Sequence, residues 1–195
     1  MIFNKSLFQI SIILIKLTAI NGFVTNSNFV IKREQTVFSE LLDYHNLPCH
    51  LQTARVKSFS SAIEKMNKIQ KKNEEINKQN VINQENNGYR PQPIDQHINN
   101  IYDLYDLIAF RFVFYTKEDL LKFYHRIKLE KTVYYTRNYI MKPKENGYAS
   151  IHIRYKNDYP MCPVKQLECQ LYIIEDYYEA MYGKARYSKN YTVYF

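Results

Sequence analysis

The sequence predicts an α/β fold of the α+β kind, a mixed and largely antiparallel sheet flanked by helices. Three observations carry that prediction. The run Asp106 to Tyr115 (DLIAFRFVFY) is β-branched and aromatic at both parities, as expected of a central strand covered on both faces. Two later segments, Ser150 to Tyr155 and Val164 to Tyr172, alternate polar and apolar residues, which predicts strands with one packed and one open face. Helical spacing occurs around these strands without the regular strand-helix-strand alternation that builds a parallel sheet.

A chain of 195 residues, 46% apolar and 15% aromatic, can bury one substantial core, so a single unit with appendages is expected. The net charge of +8 favours polyanionic partners such as nucleotides, RNA or an anionic membrane surface. Three cysteines with no C-x-x-C pairing argue against a disulfide framework or a zinc knuckle. His45, Cys49 and His50 cluster, but a fourth metal ligand at sensible spacing is missing.

In chain order, residues 1–35 read as an N-terminal appendage, signal-like or amphipathic. Lys5 precedes the apolar stretch Leu7 to Ile15, which Gln9 and Ser11 interrupt and which is too short for a stable membrane span. A cytoplasmic location follows if this segment is an ordinary helix, and a secreted or organelle-targeted one if it is a signal. The main domain then covers 36–195. A short helix over Thr36 to Leu47 carries Val37, Leu41 and Leu42 on one face and ends at Pro48. A second helix starts near Ser61, where Ser61 and Glu64 form a capping-box pattern ahead of Ile63, Met66 and Ile69.

From Asn67 to Asn87 the chain holds seven Asn and three Gln among charged residues, too polar to offset chain entropy by burial. This predicts a solvated helix extension fading into a disordered Asn/Lys-rich insertion at about 67–95. After the central strand, Thr116 caps a helix with Leu120, Leu121, Tyr124 and Ile127 inward. Asn146-Gly147 marks a turn. The strands that follow place Ile151, Ile153, Tyr155, Leu167, Cys169 and Leu171 on the packed face. Ser150, His152, Arg154, Glu168 and Gln170 fall on the open one. A final helix presents Ile174, Tyr177, Tyr178 and Met181 at helical spacing.

Four constellations bear chemistry. Arg55, Lys57, Ser61 and Lys65 straddle a helix start, whose free N–H groups and partial positive charge suit polyphosphate. Taken alone, basic residues around a capped helix are more often a solvated face. Asp106 and Glu168, placed on two strands, are carboxylates able to share a Mg²⁺ that keeps most of its waters and binds substrate phosphates. The stretch from Tyr139 to His152 offers Lys144 to a phosphate, a turn at Asn146-Gly147, and Tyr148 as a flat face for a base. Glu168-x-Gln170 lies on the polar face of its strand.

In this order the residues resemble the synthetase domain of the RelA/SpoT family. Its signature combines R-x-K, S and K with a D-L-I-A-x-R strand, Y-I-x-x-P-K-x-N-G-Y-x-S-I-H and E-x-Q. Here these stand as Arg55/Lys57/Ser61/Lys65, Asp106 to Arg111, Tyr139 to His152 and Glu168-Cys-Gln170. The resemblance covers about residues 36–187 apart from the insertion. It implies a nucleotidyltransferase-like fold and a stand-alone (p)ppGpp synthetase that moves pyrophosphate from ATP to the 3′-hydroxyl of GDP or GTP. It further implies ATP phosphates on Arg55, Lys57, Ser61 and Lys65, and Mg²⁺ on the catalytic pair Asp106 and Glu168. The guanosine nucleotide would meet Lys144, Asn146, Tyr148, His152 and Gln170, its base stacked on Tyr148.

Three positions depart from the family pattern. Tyr172 stands where an arginine commonly follows E-x-Q, Met181 replaces an acidic residue in the A-E-Y-G-type segment, and Asn138 replaces another next to the retained Arg137. Two other functions stay in view: a relative that pyrophosphorylates the 3′ end of tRNA, which the positive charge suits, and a degenerate module that only binds guanine nucleotides. Small family members often assemble as homo-oligomers, and this sequence shows no clear self-association stripe.

Overall fold

The computed structural model describes residues 25–84 and 98–184. The signal-like segment 1–24 and the later part of the predicted insertion lie outside these residues. Among the described residues five strands form one sheet in the order β1-β2-β5-β4-β3, with β1 Cys49–Val56, β2 Ile108–Phe114, β3 Val133–Asn138, β4 Ile151–Lys156 and β5 Gln166–Ile173. Only β2 and β5 pair in parallel, and the other three pairings are antiparallel, so the sheet is mixed and largely antiparallel as expected.

Helix α1 occupies residues 25–44. Its end is set by Asn46 in the left-handed region (φ 48°), with the Leu47 N–H donating to the Leu42 carbonyl at 2.9 Å. That is the bonding of a Schellman turn, and the buried Leu42 and Leu47 supply its usual apolar contact. The helix begins well before the expected Thr36. Val30, Ile31 and Phe38 all belong to the core, so residues 25–35 are part of the folded body and not an appendage.

Helix α2 spans Phe59–Gln84 and includes the first part of the stretch read as a solvated extension. It starts two residues before the expected Ser61. Ser58 is the capping side chain, its hydroxyl accepting from the Ser61 N–H at 3.3 Å, while Glu64 pairs with Lys68 at 2.6 Å. The Ser61/Glu64 box is therefore replaced by a cap one turn earlier, because Ser58 is the first hydroxyl to meet free helix N–H groups. Helix α3, Lys117–Glu130, is capped by Thr116 as predicted, and it buries Leu120, Phe123 and Ile127.

Helices α1 and α3 cover one face of the sheet. Phe38 sits edge-on to Phe110, Phe112, Phe123 and Tyr155, with ring centres 5.0 to 6.1 Å apart. Here the buried Glu34 receives the Lys131 ammonium at 2.8 Å and the Tyr155 hydroxyl at 3.1 Å, so this buried carboxylate is paired twice. The opposite face is open at its centre. Helix α4, Ile174–Tyr182, borders it at one end, and the start of α2 borders it at the other.

Candidate active site

Strand register builds the open face in rows. Arg55, Ala109, Glu168, Arg154 and Tyr135 align across β1, β2, β5, β4 and β3. Two residues along each strand, Thr53, Arg111, Gln170, His152 and Arg137 form the next row on the same face. All of these side chains except Ala109 and Thr53 wall a cavity of about 280 Å³, together with Tyr105, Asp106, Tyr139, Lys144, Tyr148, Tyr172 and Met181. Of the polar residues expected on the open face, His152, Arg154, Glu168 and Gln170 thus converge on one concavity, whereas Ser150 is buried and is not among its walls.

Asp106 stands just before β2, where the chain enters the sheet. One carboxylate oxygen receives Lys57 at 3.2 Å and Lys65 at 2.7 Å, while the other is buried with no hydrogen-bond partner. Burial alone would raise its pKa. The two ammonium groups and the nearby Arg55 outweigh burial and hold it below the ordinary carboxylate value. Glu168, also buried, is held below its usual value in the same way, with hydrogen bonds from His152 at 3.0 Å and Gln170 at 2.7 Å overcoming desolvation. Both carboxylates are acceptors at neutral pH.

Of the remaining expected residues, Arg55, Lys144, Tyr148, His152 and Gln170 line the cavity, whereas Lys57, Lys65, Ser61 and Asn146 do not, the two lysines reaching its wall through Asp106. Ser61 lies in the first turn of α2, its hydroxyl accepting from Ser58. Asn146 shapes its own loop by accepting from the Tyr148 N–H at 3.3 Å, beside Gly147 whose φ of 82° needs glycine. Tyr148 has only 5% of its surface exposed. Its hydroxyl contacts His152 at 2.7 Å and Tyr172 at 2.6 Å, and burial pushes its pKa far up. The Lys144 ammonium rests 4.8 Å from the Tyr148 ring centre and 4.6 Å from that of Tyr139.

Sequence reasoning gave no site role to Arg111, Arg154 or Tyr105. Arg154 shares the parity of His152, a signal available in the sequence, and its guanidinium lies 3.2 Å from the Tyr105 ring centre and 4.5 Å from that of Tyr135. Arg111 is the one residue of β2 that is not fully buried. Two of the departures from the family pattern meet on it: Met181 sulfur at 3.4 Å, and the Tyr172 ring at 5.6 Å. The Nε atoms of both arginines are buried with no hydrogen-bond partner, which leaves donors available beside the carboxylates.

Hard oxygen donors suit Mg²⁺, and the spare buried oxygen of Asp106 together with Glu168 fits a two-carboxylate site completed by water and phosphate. No group of three or more metal-ligating side chains occurs among the described residues. No helix among them is long and apolar enough to cross a membrane.

No curated protein sequence matches the chain. Among solved structures it is similar to small alarmone synthetase 2 from Bacillus subtilis, with 20% identity, a TM-score of 0.57, and coverage of 82% of this chain and 74% of that one. It is also similar to small alarmone synthetase 1 from the same organism bound to its product pppGpp, at 20% identity and a TM-score of 0.53 over 77% and 69% of the two chains. A GTP pyrophosphokinase family protein from Streptococcus pneumoniae aligns at 17% identity and a TM-score of 0.55, covering 86% and 73%. These likenesses establish the fold. The model of the region found in RelA / SpoT proteins matches residues 54–191, the span that holds every wall of the cavity, and so the chain belongs to the RelA/SpoT family.

Proposed function

We propose that the protein is a (p)ppGpp synthetase, transferring pyrophosphate from ATP to the 3′-hydroxyl of GDP or GTP. One observation carries the reading: two ionised carboxylates, Asp106 and Glu168, share a cavity with Arg55, Arg111, Arg137, Lys144 and Arg154. Excess cationic charge around a carboxylate pair is what a site for polyphosphate requires. The structure of small alarmone synthetase 1 with pppGpp bound supports guanosine polyphosphate as the class of product.

In this reading Arg55, Lys57 and Lys65 neutralise the ATP phosphates, and Ser61 adds a hydroxyl from the first turn of α2. Phosphate arriving there competes with Asp106 for Lys57 and Lys65, which frees the carboxylate. Asp106 and Glu168 would hold Mg²⁺, which would supply charge neutralisation of phosphate oxygens. On the other side, Lys144 leaves the Tyr148 ring to meet a phosphate and exposes it to the guanine, while His152 and Gln170 orient the sugar. The 3′-oxygen attacks the β-phosphorus, the bond from that phosphorus to the α,β-bridging oxygen breaks, and AMP departs with the electron pair. The hydroxyl proton passes to Glu168. Most of the rate enhancement then comes from positioning and charge, as in phosphoryl transfer generally.

The test is incubation of the protein with γ-labelled ATP, Mg²⁺ and GDP, GTP or bulk tRNA, followed by separation of the products. Label is expected on guanosine tetra- or pentaphosphate, with Asp106→Asn lowering the rate about a hundred-fold or more. Label on tRNA alone, or ATP left unconsumed despite nucleotide binding, overturns the reading.

A further inference from the structure

Five side chains on the open face close a ring of hydrogen bonds. Gln170 donates its amide N–H to Glu168 Oε2 at 2.7 Å, and its carbonyl accepts from the Tyr172 hydroxyl at 3.3 Å. The Tyr172 hydroxyl also meets that of Tyr148 at 2.6 Å, Tyr148 meets His152 Nε2 at 2.7 Å, and His152 Nδ1 returns to Glu168 Oε1 at 3.0 Å. Each oxygen of Glu168 is thus reached by one arm of the ring, and Tyr172 is where the two arms join. Four of the five members, Tyr148, Glu168, Gln170 and Tyr172, are buried. A buried polar network with all members satisfied rigidifies its surroundings, and losing one member leaves its partners unpaired.

The Tyr172 hydroxyl is not needed to pack the fold. Its ring lies between Arg111, 5.6 Å from the ring centre, and Tyr177, 5.9 Å centre to centre, contacts that a phenylalanine would keep. What the hydroxyl adds is confined to the cavity wall. It fixes which way the Gln170 amide faces, since only the carbonyl side can accept from it, and so points the N–H at Glu168. It also ties Tyr148, carried by the loop before β4, to the strand that carries Glu168.

We propose that Tyr172 is a positioning residue for the transfer reaction, fixing the Glu168 carboxylate through Gln170 on one side and through Tyr148 and His152 on the other. The inference rests on the proposed synthetase function for its kinetic consequence, and on the ring alone for its structural one. The pocket wall that faces the guanosine nucleotide and the carboxylate that faces the reacting hydroxyl behave as one body.

Tyr172→Phe removes the hydroxyl and keeps the ring. Its melting temperature is expected to stay close to wild type, while kcat with GDP or GTP falls roughly ten-fold, the rate equivalent of one lost positioning hydrogen bond. KM for ATP should not move, because Arg55, Lys57 and Lys65 lie outside the ring. In a His152→Ala background the arm through Tyr148 is already cut and Tyr172 acts only through Gln170, so adding Tyr172→Phe should cost less than the roughly ten-fold it costs alone. An unchanged kcat, losses that multiply in the double variant, or a fall in activity that merely tracks a lowered melting temperature overturns the proposal. Side-chain amide exchange of Gln170, read by NMR on ¹⁵N-labelled protein, is the arm that does not depend on activity. If wild type transfers nothing, the synthetase reading fails while the ring is judged here: faster exchange in Tyr172→Phe upholds it, and equal exchange overturns it.

Discussion

Asp106 shows how much of a site's behaviour is written in the immediate surroundings of one residue. Its carboxylate lies between two ammonium groups in a buried setting, so its folded pKa falls below the ordinary 3.8. A lowered carboxylate contributes stability that is present above the unfolded value and is lost as pH falls through the folded one. Glu168, lowered from an ordinary 4.5, carries the same sign. Stability measured by urea unfolding is therefore expected to fall as pH drops below this carboxylate range. Asp106→Asn should be less stable at neutrality, with Lys57 and Lys65 left side by side, and should show a flatter acid limb. An unaltered acid limb in that variant would contradict the assignment. At this scale the sequence revealed the right residue types. It could not reveal that Tyr148, read as an open stacking face, is tucked against Tyr172 and covered by Lys144. Both contacts join residues far apart in the chain or across a turn, and no local pattern encodes them.

Among the elements, the legible ones were those buried on a face of regular period. Strands β2, β4 and β5 and helices α3 and α4 fall where alternation and helical spacing put them, because packing on one or both faces imposes that period. Strands β1 and β3 were not anticipated. Both are edge strands with mixed exposure, and Gln52, Thr136 and Asn138 occupy the packed-face positions where apolar residues would have signalled a strand. Helix α1 was recognised only in its second half, since its first half anchors through Val30, Ile31 and Glu34 at spacing diluted by polar neighbours. Phe38 is the side chain that fastens α1 to the sheet, fully buried among four other aromatic rings. Phe38→Ala is expected to cost about 3–5 kcal/mol in chemical denaturation, the usual range for emptying an aromatic site in a core. A loss under about 1 kcal/mol would mean that α1 packs without it.

For the molecule as a whole, the sheet is a plate with two different faces, and the helices decide which is which. Helices α1 and α3 seal one face, and the other keeps its charged rows because only its margins are covered by α2 and α4. Removing part of the seal should therefore endanger the plate even though no site residue is touched. A chain beginning at residue 36 would lose Val30, Ile31 and Glu34, leaving the half-buried Lys131 ammonium without its carboxylate. Such a chain is expected to lose, by circular dichroism, the cooperative thermal transition expected of residues 25–195. A sharp transition retained in the shorter chain would show that the first half of α1 is dispensable.

The sequence by itself determined the fold class, the family and most of the cavity's polar residues, because strand parity and ordered motifs are local facts that survive without coordinates. Parity alone put His152, Arg154, Glu168 and Gln170 on one face. Only the tertiary structure decided the sheet order with its single parallel pairing, the role of residues 25–35 in the core, and the pairing of Asp106 with both lysines. It alone brought the divergent Tyr172 and Met181 together on Arg111 and closed the ring through Tyr172. Those outcomes depend on which side chains meet after strands distant in the chain align. That depends on global packing, and no stretch of sequence contains it.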